Sequence, residues 1–162
     1  MTYYCVLVDR TYGFCNIFEA FATNKQEAST IFLNYFKNNI NFFPDFLSIE
    51  PEDFEDSANK LKTAKTLEDW NPEEIAISMI ETFSEGDYIG FVITEYDEVP
   101  EILPIEADSE MDAIDKFMFN GFRFLYHIEK EWNYNSANYW LDERMVLGRL
   151  IIEKRNTITK IC

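Results

Sequence analysis

One arrangement of residues occurs twice in this chain. Sliding the 162-residue sequence along itself by 85 positions lays Tyr3–Phe36 on Tyr88–Gly121 without a gap, with identities at Tyr3/Tyr88, Ile17/Ile102, Ala22/Ala107, Ala28/Ala113 and Phe32/Phe117. The shared pattern is an apolar run, a polar turn, a shorter apolar run, and a helix entered through Ala-Thr-Asn or Ala-Asp-Ser. A recurring unit buries its apolar face against its own kind, so it constrains architecture more than any single motif. The expectation is an α+β fold of two pseudo-repeated antiparallel ββα units sharing one core, with both helices on one face of a common sheet. One domain is expected over residues 1–162: a first repeat over about 1–38, an acidic helical insert over about 39–86, a second repeat over about 87–128, and a C-terminal helix and strand over about 129–162.

Local signals supply the elements. Tyr3–Val8 reads as a buried strand, and Asn16–Ala22 alternates as a second one. Thr23-Asn-Lys-Gln26 reads as a capping box with Thr23 as N-cap, ahead of a helix with Ala28, Ile31, Phe32, Tyr35 and Phe36 on one face. In the insert, Phe42, Phe43, Phe46 and Leu47 cluster around Pro44, and Pro51-Glu52-Asp53 opens a helix that buries Phe54, Ala58 and Leu61. Asn71-Pro72-Glu73-Glu74 repeats that signal and predicts a second helix carrying Ile75, Met79, Ile80 and Phe83, stopped by Gly86. The second repeat offers strands Tyr88–Thr94 and Glu101–Ala107, the latter at a sheet edge because Pro104 cannot donate a hydrogen bond. Asp108-Ser109 then caps a helix with Ala113, Ile114, Phe117 and Met118. Phe122–Ile128 and Arg149–Glu153 read as strands, Ser136–Leu147 as a helix, and Asn156–Cys162 as a polar tail.

Charge is unevenly distributed. The net charge is −16, yet Asp45–Asp115 alone holds 22 acidic and three basic residues, so the rest of the chain is slightly basic. Such a centre repels nucleic acid and anionic membranes and attracts basic surfaces. Acidity also keeps a chain with fifteen Phe and nine Tyr in solution. No apolar stretch approaches the roughly 20 residues of a membrane helix. Cys5, Cys15 and Cys162 form no C-x-x-C pair. Cys5 and Cys15 could meet across the first hairpin, but buried free thiols in a reducing cytoplasm are the expected state.

Few chemistries fit. His127 is the single histidine, so a zinc site or a histidine-activated nucleophile lacks its parts. The five glycines are scattered and form no phosphate-cradling loop, so no nucleotide cofactor is implied. The carboxylate groups Glu50/Glu52/Asp53 and Asp97/Glu98/Glu101 are conceivable magnesium or calcium ligands, but the calcium-loop pattern is absent. Pro44-Asp45 starts a nuclease-like pattern whose E-x-K or D-x-K never follows. A metal-assisted hydrolase is therefore the weakest reading, and neither a metal nor a catalytic residue is assigned. Among the aromatics, Trp132, Tyr134, Tyr139 and Trp140 suit packing or an interface, and Trp70, in a polar loop, is the best candidate for an exposed anchor.

The stretch Ile105-Glu-Ala-Asp-Ser-Glu-Met-Asp-Ala-Ile-Asp-Lys-Phe117, following strand Tyr88–Thr94, resembles the strand–strand–helix module of small DpnD/PcfM-like accessory proteins of phages and mobile elements. The resemblance covers roughly a quarter of the chain. It implies a small bacterial or phage accessory protein that binds rather than catalyses, and it brings no catalytic residues with it.

Together these signals lead to a non-enzymatic inhibitor that occupies the basic, nucleic-acid-binding surface of a host protein, as an anti-CRISPR or anti-restriction protein would, its carboxylates imitating phosphates. The contact residues expected are Glu50, Glu52, Asp53, Glu55, Asp56, Glu68, Asp69, Glu73 and Glu74, with Trp70 as anchor. Direct contact with nucleic acid or membrane is not expected. The alternative is a structural or regulatory module that binds through an apolar patch or homodimerises through a sheet edge.

Overall fold

A computed structural model of the chain describes residues 1–9, 15–42, 49–82, 87–93, 101–105, 107–116 and 149–161. The chain forms two compact units, Met1–Phe83 with Thr159–Cys162, and Ser84–Ile158. Each mixes helix and strand, so the α+β class stands. The two ββα segments do not share one sheet. They lie in separate sheets of four and three strands.

In the first unit β1 (Thr2–Asp9) and β2 (Cys15–Phe21) form an antiparallel hairpin. Tyr3, Cys5 and Leu7 alternate into the core beside Phe18 and Ala20 of β2. The intervening Tyr4, Val6 and Val8 are also buried, none more than 4% exposed. A strand covered on both faces reads as a continuous apolar run, as Tyr3–Val8 does. The hairpin register sets Cys5 opposite Phe18 and Cys15 opposite Val8, so the two cysteines do not face each other.

The other side of β1 is taken by β3 (Ile75–Thr82), antiparallel over eight pairs from Thr2↔Thr82 to Asp9↔Ile75. This corrects the helix expected after Asn71-Pro72. Ile75 and Met79 are four apart, a spacing shared by one helical turn and two strand repeats, so they could not distinguish the two periods. Ile77 does: it packs on the core with Ile75 and Met79, which is the alternation of a strand. A further correction falls at the C-terminus. Thr159–Ile161, expected within a polar tail, forms β7 and pairs in parallel with Phe18–Ala20 of β2. The sheet order is β3-β1-β2-β7.

Helix α1 (Lys25–Asn38) packs on β1, β2 and β7. Its N-cap is Asn24, one residue later than expected: the Asn24 side chain accepts from the Glu27 N–H at 2.9 Å, and Glu27 accepts from the Thr23 N–H at 2.7 Å. The reciprocal side chain is that of Glu27, three residues after Asn24, and not that of Gln26. Ala28, Ser29, Phe32, Leu33 and Phe36 are buried, with Ile31 and Tyr35 half-buried beside them. A 3-10 turn (Ile40–Phe42) follows, and then α2 (Pro51–Thr63), with proline in its first turn and Phe54, Ser57 and Leu61 inward. Lys37, in the last turn of α1, donates to the carbonyl of Ala64 at the end of α2 and ties the two helices together.

The second unit orders its strands β5-β4-β6, with β4 at Tyr88–Ile93, β5 at Glu101–Ile105 and β6 at Arg149–Lys154. Among the described strands Pro104 thus lies on an edge strand, which suits its missing N–H. Helix α3 (Glu110–Lys116) packs on β4 and β6. The five pairs from Tyr88↔Ile105 to Val92↔Glu101 reproduce, residue for residue along the 85-position offset, those from Tyr3↔Ala20 to Leu7↔Asn16. The helix entries coincide too: Asp112 N–H donates to Ser109 Oγ and Asp108 N–H to Asp112 Oδ2, both at 3.1 Å. The strand Phe122–Ile128, the helix Ser136–Leu147, most of the aromatic cluster around Pro44, and His127, Trp132, Tyr134, Tyr139 and Trp140 lie outside the described residues.

Ile77→Ala is expected to cost about 2 kcal/mol and Ser78→Ala less than about 0.5 kcal/mol in urea denaturation, whereas equal costs would favour a helical period. The caps predict a pH effect. Hydrogen bonds from the Thr23 hydroxyl and N–H hold the Glu27 carboxyl below the usual range, and the Asp108 N–H followed by Lys116 does the same for Asp112. A lowered folded pKa gives stability that is full above the unfolded value and is lost as pH falls through the folded one. Glu27→Gln is therefore expected to lose less melting temperature than the unaltered chain on acidification below about pH 4.3.

Candidate functional site

The expected contact residues separate into two groups. Glu50, Glu52, Asp53, Glu55 and Asp56 are exposed and occupy the start of α2. Glu50 is its N-cap in extended backbone, and its carbonyl accepts from Asp53 N–H at 3.0 Å and Phe54 N–H at 3.3 Å. Acids at this end face the positive pole of the helix, which is why the sequence tolerates so many here. Asp56 pairs with Lys60 across one turn at 3.3 Å, both partly solvated, an interaction of small net value. The lysines sit in the last turn, at the opposite pole.

The second group serves local structure. Asp69 accepts from the N–H groups of Lys65 and Thr66 at 3.2 and 3.1 Å, while its own N–H donates to Thr66 Oγ1 at 3.1 Å, closing the turn after α2. Glu68 accepts from Ser29 Oγ at 3.4 Å. Glu74 is half-buried and accepts from the Ser57 hydroxyl. Glu73 is exposed.

Trp70 is not the exposed anchor expected. It is 2% exposed, its ring lies 5.9 Å from that of Phe36, and its Nε1–H donates to the Ser57 carbonyl at 3.0 Å. A large ring with one polar atom gains most from burial when that atom finds a partner, and the carbonyl of the inward-facing Ser57 supplies one. The polar residues flanking Trp70 gave the opposite impression because they form the turn over it. Ser57 thus links α2 to both ends of the Trp70–Glu74 segment and fixes where the acidic turns stand.

Two buried serines were missed by sequence reasoning. Ser57 is one. Ser29 is the other: it donates to Glu68 and accepts from the Leu67 N–H at 3.3 Å. Their signal in the sequence is a small polar residue on an otherwise apolar helix face. Ser29 also lines a half-open pocket of about 410 Å³ with Lys25, Gln26, Thr30, Lys65, Thr66 and Glu68. Its lining mixes ammonium, hydroxyl and carboxylate groups, the opposite of the acidic surface on α2.

Among the described residues no group of three or more His, Cys, Asp or Glu is placed to hold a metal ion, so Glu50, Glu52 and Asp53 are not gathered as ligands. Cys5 is a buried free thiol whose pKa burial pushes up. No helix among the described residues is long and apolar enough to cross a membrane. No protein-family model matches the chain, and neither does any curated protein or solved structure.

Removing Trp70 tests its structural assignment. Trp70→Ala is expected to cost about 3–5 kcal/mol of unfolding free energy, and Trp70→Phe about 1–3 kcal/mol through the donor lost to Ser57. Neither substitution is expected to alter surface charge or charge-driven binding at temperatures where the variant stays folded.

Proposed function

We propose that this protein is a non-enzymatic interaction module that docks its acidic face on the basic surface of a nucleic-acid-binding protein, acting as an inhibitor by imitating nucleic acid. The observation that carries this reading is the exposed carboxylate run Glu50, Glu52, Asp53, Glu55 and Asp56 on a helix held from beneath. At about 1.5 Å of rise per residue this run covers roughly 9 Å of axis, about one carboxylate per 2 Å. Duplex DNA carries one charge per about 1.7 Å. Phe54, Ser57 and Leu61 fix the inner face of the helix, so the charges are presented at set positions. Of the contact residues read from the sequence, Glu73 remains with this exposed group, and Trp70 is removed from it.

The scaffold is read as two copies of one ββα unit. Supporting this are the common hairpin register and the matching caps at Asn24/Glu27 and Ser109/Asp112. The likeness of Ile105–Phe117 to DpnD/PcfM-like accessory proteins accords with a phage or mobile-element origin and a role inside the bacterial cytoplasm. A second reading, binding through an apolar patch, draws on Phe21 at the end of β2, which is 76% exposed.

The test reverses Glu52, Asp53, Glu55 and Asp56 to lysine together. Tagged unaltered and reversed chains are used to recover partners from nuclease-treated bacterial lysate at about 50 and about 500 mM salt. The expected result is a nucleic-acid-binding protein retained by the unaltered chain at low salt alone and not by the reversed chain, with both chains melting at similar temperatures. Equal retention by the reversed chain would overturn the acidic-face reading, and salt-insensitive retention would move the assignment to an apolar surface.

A further inference from the structure

The strand orders β3-β1-β2 and β6-β4-β5 are alike: in each sheet a hairpin is joined, on the side of its first strand, by a later antiparallel strand. Among the described residues β7 alone falls outside this scheme. It is three residues long, it makes the one parallel pairing, and it lies on the outer side of β2. In the other sheet β5 holds the place of β2; among the described residues no strand is added beyond it, and it carries Pro104. Among the described residues the two equivalent edges thus differ: that of β2 carries a supplementary strand, and β5 carries a proline.

The supplementary strand is lightly held. Thr159 and Lys160 are exposed, and Ile161 is the side chain that enters the core. β7 covers Phe18–Ala20 of the seven-residue β2. Parallel pairs are also less stable per residue than antiparallel ones. The residues just before β7 belong to the other unit. There Arg155 N–H donates to the Asp87 carbonyl at 2.7 Å, and the 3-10 turn Arg155–Thr157 leads through Ile158 directly into β7. The connection between β6 and β7 is thus the four residues Arg155–Ile158, a short link from a strand of one unit to a strand of the other.

We infer that the outer edge of β2 is a strand-acceptor site, filled within one chain by β7, and that the β7 of a second copy takes this place when the protein is concentrated, so that two chains exchange their last strands. Every contact that β7 makes to β2 is available in identical form on the second copy, so exchange gives up none of them. What changes is the path of Arg155–Ile158, which opens from a turn into a bridge. This proposal stands apart from the acidic-face reading, since it uses neither α2 nor its carboxylates.

Glu19 and Lys160 are register partners in the β2–β7 pair and suit a cross-linking test. Three chains are prepared, each with Cys15→Ser and Cys162→Ser: one with Glu19→Cys, one with Lys160→Cys, and one with both. The doubly substituted chain, oxidised when dilute, is expected to close a 19–160 disulfide within itself. The two singly substituted chains, concentrated together and then oxidised, are expected to give a covalent dimer whose linked peptides contain positions 19 and 160. A within-chain link without any 19–160 dimer overturns the exchange. Absence of both links overturns the acceptor site itself. An independent readout uses the unaltered sequence: native mass spectrometry of concentrated, mixed unlabelled and isotope-labelled chains should show mixed dimers, and monomer alone at every concentration contradicts the proposal.

Discussion

The first unit depends on β1 being buried on both faces. A strand with Tyr3, Cys5 and Leu7 on one side and Tyr4, Val6 and Val8 on the other has no face left for water. Its N–H and C=O groups then need protein partners along both edges. β2 supplies one row through a local hairpin, and β3 supplies the other from more than sixty residues away in sequence. The segment between them must therefore return Ile75–Thr82 to the same sheet, and this return positions α2 and the Trp70 turn.

Packing around Phe36 makes that return rigid. Its ring lies 5.2 Å from Phe18 of β2 and 5.9 Å from Trp70, so strand, helix and turn meet at one side chain. Trp70 then reaches Ser57 through its indole N–H, and Ser57 reaches Glu74 through its hydroxyl. Tyr3 adds a similar tie, donating its buried hydroxyl to Glu81 of β3 at 3.0 Å; burial and that carboxylate both raise its pKa, so it stays protonated. These polar contacts hold individual residues in place on a core that is otherwise aromatic and aliphatic. The outward side of α2 takes part in none of these contacts, and its carboxylates are exposed.

Acidic residues in this chain thus do two different jobs. Glu27 and Asp112 complete helix caps, Asp69 closes a turn, and Glu68 and Glu74 accept from buried serines. Those carboxylates are spent on local structure. The Glu50–Asp56 run is exposed at the start of α2, where Asp56 pairs with Lys60 of the same helix. Net charge alone does not separate the two uses, because both count equally in the total of −16.

Some of this was legible in the residues. The hairpin Tyr3–Val8 with Asn16–Ala22, the face of α1, the proline-led start of α2, and the edge position of Pro104 among the described strands follow from period, turn chemistry and the missing proline N–H, all local properties. Other features depended on distant partners. Ile75 and Met79 fit a helix and a strand equally well, and β1's second edge decided between them. Thr159–Ile161 carries too few residues to declare a strand until β2 offers its edge. Trp70 sits among polar neighbours in sequence yet lies beneath them in space, because Phe36 and the Ser57 carbonyl give its ring and its N–H what solvent would otherwise supply. Sequence alone determined the elements whose signals are local, whereas the tertiary structure decided pairing, burial and which carboxylates remain exposed, since each of these depends on groups brought together only when the chain folds.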